Sequence, residues 1–431
     1  MAALSMLLAA GIVSIVVGKH FLDQQQSLIE ETAKHQQDKI DRLVEYHSDE
    51  MGLLLYYLRF AYINPASKLA AVSIGQRDIN SSIQFPTIRT LEAQKHDTDI
   101  QNPYRSMMGN FDLSFVVLFL FPLVIIGLTF NLYSEEKERG TWALICSQNF
   151  SPRKYLLKKL SVPFLFVSGV FLLLILLSAV IVKLPLDRGF LAFILSNFLY
   201  ICFWFAVVLL LISFFQTSSN NAIFLLGSWI MIVLLLPAAA SNFISGKYPV
   251  PESLSMMLKQ RDGYHKKWDI PEDSSMGMFF KEYPEYSSFK WTHEGFNWLW
   301  YYAMQHLGDV DARPDKDLFM EKLRQRQNLS EQISWLVPSL YTQLYNSEVA
   351  QTSLTNHLIF LRNTSDFHER LRKYFYPKIF TGSPVMQEDW KKHQPRYCEI
   401  KNPVSLVKSA YVGLFVLVIG GLGFARLNKT F

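Results

Sequence analysis

The sequence predicts an all-α integral membrane protein, with six transmembrane helices and a mainly helical extracytoplasmic domain. Three observations predict it. Half of the 431 residues are hydrophobic, and they gather into six long runs rather than amphipathic patterns. A run of about 20 apolar residues crosses a hydrocarbon core of roughly 30 Å as a helix. No run carries Asp, Glu, Lys or Arg near its centre, where an ionised side chain costs roughly 2.5–3.5 kcal/mol. Two long polar segments, 19–112 and 245–405, separate the runs, and neither sustains the alternation of a strand.

Residues 1–18, "MAALSMLLAAGIVSIVVG", are the first transmembrane helix. They lack the basic start and the A-x-A site of a cleaved signal peptide, so an uncleaved span is expected. Within 19–112, residues 21–60 are rich in helix formers and place Leu28, Ile40, Leu43 and Leu54 at helical intervals. "NPASKLAAVSIGQRDINSSIQFPT" then reads as loop and turn. The block 113–244 holds helices two to five: 113–133, 160–182, 189–214 and 222–244. The sixth runs over 406–425 within the final stretch 406–431.

Between the second and third spans lies a charged hairpin, 134–159. It carries Lys137, Arg139, Arg153, Lys154, Lys158 and Lys159, against only Lys183 and Arg188 in the next connection. Positive residues collect on the cytoplasmic side. The hairpin, the "QTSSNN" turn (with Gln216, Ser218, Ser219 and Asn220) and both termini are therefore expected on the cytoplasmic side. The two long segments then lie outside. The outer cysteine, Cys398, has no cysteine on its side of the membrane to pair with, so no disulfide is expected.

The segment 245–405 is expected to form helices, with Pro314 in a first turn, a stop at Pro338 and a periodic pattern on to Pro377. Its aromatic stretch contains Trp291, Phe296, Trp298, Trp300 and Tyr301. Two readings stand: the wall of a site for an apolar or amphipathic substrate, or domain core or a belt on the bilayer interface. Small residues in the sixth span (Gly413, Gly420, Gly421 and Gly423) and the aromatic "FLYICFWFA" of the fourth read as packing faces for a second bundle. The sixth equally suits packing within its own.

Chemistry-bearing motifs are missing. There is no G-x-S-x-G, H-E-x-x-H, C-x-x-C or phosphate loop. The ten histidines all fall in the polar segments without metal-ligand spacing. No catalytic residue, cofactor or metal is expected in this chain, nor a nucleic-acid partner; if the chain does energised work, another chain must supply the energy.

The hairpin itself is the most specific feature. Glu135, Glu136 and Glu138 suit the start of a short helix, Arg139 and Gly140 lead into a turn, and Thr141, Trp142, Leu144 and Ile145 follow. "EEKERGT", a short apolar "WALICSQ" and then "SPRKYLLKKL" resemble the first cytoplasmic loop of ABC-2 type exporter permeases. That pattern is roughly E-x-E-x-G-T, a short helix, then [ST]-P-[VS]-x-R-x-x-[LIV]-x-x-K. Glu136, Glu138, Gly140 and Thr141 carry its first half here, and Ser151, Pro152, Arg153 and Lys158 its second, with the two basic residues at shifted spacing.

Two large outer segments, with "FAYINPASKLAAVSIG", "FHERLRKYF" and "YFYPKIF", resemble the branch with a domain of unknown function, near the permeases of nitrous-oxide reductase maturation and gliding motility. The resemblance implies an ABC-2, type V exporter-like architecture. It also implies a coupling helix seated in a groove of an ABC ATPase, two copies of that ATPase binding ATP and Mg, and a second permease chain, the same or paralogous, in membrane lipid. It further implies a basic elbow helix ahead of the first span, and this chain begins inside that span.

Three readings of function follow. The first is an export permease for an unknown substrate. The second is a mechanotransmitter acting on an outer lipid, peptide or protein. The third is a metal-handling scaffold outside the transporters.

Overall fold

The computed structural model describes residues 2–96, 110–147, 152–215, 217–289, 296–400 and 403–430. Six helices are long and apolar enough to cross a membrane: Ala2–Tyr46, Leu113–Glu138, Lys154–Val182, Arg188–Ile212, Ser218–Lys247 and Leu406–Leu427. The first is longer than its apolar run. It continues without interruption for 45 residues, about 65–70 Å at the helical rise. Residues 19–46 contain no Pro or Gly, so nothing ends the helix where the hydrophobic run stops.

The fourth span is the centre of the bundle. Tyr200, Phe203 and Trp204 are buried within it. The sixth span packs along it through its small residues. A side chain at Gly423 would strike the backbone of Leu210 at 2.9 Å, and Gly413 and Gly420 lie against Leu199 and Ala206. The aromatic face and Gly413, Gly420 and Gly423 thus pack inside this bundle, whereas Gly421 meets nothing within 4 Å. Most of the apolar stretch stays open on the fifth span, with 11% buried, on the sixth, with 17%, and on the first, with 28%.

The second and fifth spans each contain a π-helical turn, Val116–Leu120 and Ile230–Leu235, just ahead of Pro122 and Pro237. Proline has no N–H, so carbonyls in the preceding turn lose their partner. In lipid they must find another. Tyr200 Oη donates to Leu118 O at 3.2 Å, Trp229 Nε1 to Phe119 O at 3.2 Å, and Ser339 Oγ to Ile232 O at 2.5 Å.

Ser339 belongs to Pro338–Val349, a helix from the second polar segment that nevertheless packs into the bundle core. There Asn346 and Asn197 exchange side-chain hydrogen bonds at 3.0 Å, and Asn346 also donates to Ser114 Oγ at 2.7 Å. Trp335, Tyr341 and Tyr411 cluster beside it, with Tyr411 Oη bonded to Trp335 O at 2.7 Å.

The two polar segments form one domain at the end of the bundle opposite the hairpin. A single core takes Ile40, Leu54, Leu58 and Tyr62 from the first segment and Phe279, Tyr302, Phe360 and Phe375 from the second. A small sheet repeats the union: β1 (Tyr62–Ile63) pairs antiparallel with β2 (Ile83–Gln84) and parallel with β3 (Arg396–Tyr397). Gln36, on the first helix, bridges both segments by donating to His393 O and accepting from Ala61 N, each at 2.6 Å.

Helix boundaries here differ from expectation. Pro314 lies inside the helix Trp298–Ser334, not in its first turn. Asn297 caps that helix at Leu299 N, 2.8 Å away, and the run from Leu299 to Gly308 is buried, so packing carries the helix through the proline. Pro338 starts a new helix, and the pattern beyond it breaks at Ala350–Ser353 before Leu354–Phe380 passes through Pro377.

Candidate functional site

The hairpin folds as two short helices, Ser134–Glu138 and Trp142–Ser147, joined at Arg139–Thr141. Gly140 takes φ +72°, a left-handed conformation that favours glycine. Each glutamate has a separate task. Glu136 accepts from Thr141 Oγ1, from Tyr155 Oη at 3.0 Å and from Lys159 Nζ at 2.7 Å, which ties the turn to the start of the third span. Glu138 accepts from Ser218 N at 2.7 Å and Ser218 Oγ at 2.8 Å. It caps the helix Ser218–Trp229, whose own N-cap residue makes no side-chain cap, and so joins the two short loops of this end. Glu135 pairs with Arg139 at 2.5 Å and accepts from Asn131 at 3.0 Å.

Trp142, Leu144 and Ile145 are not equivalent. Trp142 turns back and packs edge-on against Tyr133, ring centroids 4.9 Å apart. Tyr133 is buried with Leu156 and Leu427, so the C-terminal helix also reaches this corner. Ile145 is half-buried, whereas Leu144 is 65% exposed, with exposed Ala143 and Ser147 beside it. The hairpin therefore fixes its base on the spans and turns one leucine face outward.

The arrangement ties the turn ahead of the short helix to the start of the third span and to the fifth-span helix. Ser219 and Asn220 are exposed next to Ser218; Gln216 and Ser151 lie outside the described residues. The sequence did not single out Ser134, which is buried against Ser218 Oγ (2.8 Å) and Asn221 (3.3 Å), or Tyr155 as a partner of Glu136. Such partners lie up to 87 residues apart, and no local spacing signals them.

The aromatic stretch divides at the other end of the molecule. Trp300 and Tyr301 are buried in the domain core. Trp298 is half-buried and donates from Nε1 to Glu50, Phe296 is exposed, and Trp291 lies outside the described residues. Tyr301 also forms part of a surface groove. Below it sits a buried polar knot. Arg372 pairs with Asp309 at 2.7 Å and contacts His306 Nδ1 at 2.9 Å, and His368 bonds Arg89 O at 2.9 Å. Burial and then the Arg372 charge push both histidines down, His306 to about 2. The knot fastens the first segment to the helices of the second. No group of three metal-ligating side chains occurs among the described residues, and the three cysteines are unpaired.

Residues 14–253 match the family model described as ABC-2 family transporter protein, and residues 254–397 match a domain of unknown function, DUF3526. No curated protein and no solved structure matches the chain. The family model covers more than half of the chain, including the hairpin and the second to fifth spans. That membership sets aside a metal-handling scaffold outside the transporters. With its DUF3526 domain following the fifth span, the chain belongs to the ABC-2 transporter family and is a membrane permease subunit of an ABC transporter.

Proposed function

We propose that the chain is the permease half of an exporter, driven by a separate ATPase that docks on the helix Trp142–Ser147. The observation that carries this is the outward Leu144 on a helix whose base is tied to the spans by Glu136, Glu138 and Trp142. A partner that grips Leu144 pulls the second and third spans directly. Two ATPase copies would bind ATP and Mg between them. Two permease chains would pair through the exposed faces of the first and fifth spans. The hairpin end and both termini would face the cytoplasm of the inner membrane, as the distribution of Lys and Arg supports. Purification in mild detergent should bring the ATPase down with the chain. Survival of its association and activity in the double variant Leu144→Asp, Trp142→Ala would remove the docking reading.

A second reading is favoured by the first helix. It crosses the bundle and enters the core of the opposite domain without a break. Movement of the spans would then turn the outer domain and act on a lipid, peptide or protein there. Gln26→Pro, at an exposed position of that helix, separates the two readings. Under the mechanotransmitting reading it abolishes function with ATPase binding and hydrolysis intact. Full function in that variant would exclude transmission through this helix.

A further inference from the structure

A pocket of about 260 Å³, counting its open mouth, lies where two distant stretches of the chain meet. One is the loop between β1 and β2, from Asn64 to Ser82. The other is the turn at Gln351–Ser353 with the first turn of the helix Leu354–Phe380. The two are locked together beside the pocket. Thr352 Oγ1 donates to Ser73 O at 3.0 Å, and Gln76 N donates to Thr352 O at 3.2 Å. Every side chain lining the pocket is polar, and none is acidic. Its enclosed part is little larger than a water molecule, so its occupant is small.

Two of the lining side chains are buried donors left short of partners. Arg77 is 7% exposed; its Nη2 donates to Asn64 O, and its Nε has no partner among the described residues. Burial pushes its guanidinium down, to about 10, and the group that opposes this is the Cys398 thiol, not a carboxylate. A buried cation without a counter-charge is costly. Asn356 is 1% exposed. Ser353 Oγ donates to its Oδ1 at 2.6 Å, and its Nδ2 has no partner among the described residues. The pocket also lies at the N-terminus of a 27-residue helix, where the dipole favours negative charge. Water would satisfy both donors and leave the charge uncompensated. An oxyanion does both, with separate oxygens for donors on separate side chains.

We propose that this pocket is a site for a small free oxyanion of the phosphate or sulfate type, its oxygens on Arg77 Nε and Asn356 Nδ2. The site stands independently of the exporter reading. The turn at Gln351–Ser353 joins a helix packed in the bundle core to a helix packed in the outer core, so the bound anion braces that joint.

The test is equilibrium dialysis of the full-length protein, in mild detergent, against radiolabelled inorganic phosphate, with thermal melts alongside. The chain should bind phosphate, unlabelled sulfate should compete, and chloride at the same concentration should not. Phosphate should also raise the melting midpoint, because it binds the folded chain alone. Arg77→Met removes the charge and keeps the side chain's length. It should lower phosphate affinity roughly tenfold or more, the loss of one charge-assisted bond, and leave the midpoint insensitive to phosphate. Asn356→Asp puts a carboxylate into the pocket. It should exclude phosphate and, without phosphate, melt no lower than the parent. Parent-like binding in either variant overturns the proposal. So does a parent that takes up no phosphate, or equal competition by chloride. Dialysis repeated in phosphatidylcholine nanodiscs separates a free anion from a lipid head group. Uptake that is present in detergent and lost in nanodiscs would give the pocket to the head group and overturn the proposal; uptake retained in both supports it.

Discussion

The two ends of the molecule are rigid in different ways. The hairpin has almost no core of its own. Trp142 rests on Tyr133, and the remaining order comes from carboxylates that each satisfy several donors. The opposite domain is built around one large aromatic core that takes side chains from both polar segments and from the first helix. A polar tie fixes direction while leaving an apolar face free for a partner. A shared core makes two distant stretches of chain move as one body. Under the proposed function one end receives a force and the other is carried by it, and a 45-residue helix runs from the bundle into the second.

The most severe way to break this comparison is to cut a cavity where the first helix enters the shared core. Ile40 is fully buried there. Ile40→Ala should cost about 2–5 kcal/mol of domain stability. If the domain is one unit, amide exchange should accelerate together in the first helix beyond residue 30 and in Leu354–Phe380. Acceleration confined to the first helix would show that the two segments are not one body.

At the other end, the comparison predicts that two neighbouring apolar residues fail differently. Leu144→Asp should weaken ATPase association by roughly thirtyfold, the equivalent of about 2 kcal/mol for a buried hot spot, with the hairpin itself unchanged. Trp142→Ala should weaken it by loosening the hairpin, so that limited trypsin cleaves more readily at Lys137 and Arg139. Equal protease sensitivity in the two variants would erase the distinction between a face that docks and a side chain that anchors.

That distinction was not legible in the sequence. Trp142, Leu144 and Ile145 read there as one short apolar stretch; only the position of Tyr133 separates them. The six spans were legible, because apolar run length is a direct measure of hydrocarbon thickness. Continuity of the first helix past residue 18 was half-legible: residues 21–60 read as helix, but hydropathy drew a border that the backbone does not observe. The helix Pro338–Val349 was placed wholly in the outer segment, since its Asn346, Tyr341 and Thr342 look soluble. They are tolerated in the bundle core because Asn197, Ser114 and nearby carbonyls meet their polar groups. The pocket at Arg77 was invisible, because its walls come from two stretches far apart in the chain.

Acid should sharpen the contrast by a further, smaller step. His306 and His368 are buried and neutral in the folded domain, both held below the ordinary histidine range by burial and Arg372. The unfolded chain protonates them near pH 6.5. Below that pH the unfolded state binds more protons than the folded one, so stability is lost as pH falls, by roughly 1 kcal/mol per histidine for each pH unit. The hairpin contains no histidine. Thermal melts of the full chain between pH 7 and pH 5 should therefore show the outer domain softening while trypsin sensitivity of the hairpin stays constant. A pH-independent outer domain, or its recovery to no effect in the parent but not in His306→Gln, would contradict the assignment.

The smallest expected effect isolates the turn that presents the hairpin helix. Gly140 adopts φ +72°, and a side chain added there would meet nothing within 4 Å. Alanine at this position therefore suffers backbone strain alone, roughly 1–2 kcal/mol for a left-handed residue. Asparagine tolerates that conformation better, because its short polar side chain bonds locally. If the turn sets the direction in which Leu144 points, Gly140→Ala should weaken ATPase association by about fivefold to tenfold, and Gly140→Asn by less. The order matters more than the size. A partner that merely needed a flexible loop would be indifferent to which of the two residues replaced the glycine. A partner that reads a preset helix orientation must rank them Gly, Asn, Ala. Identical, parent-like binding by both variants would mean that the Glu136 and Glu138 ties alone orient the helix, and that the left-handed turn follows from them rather than directing them.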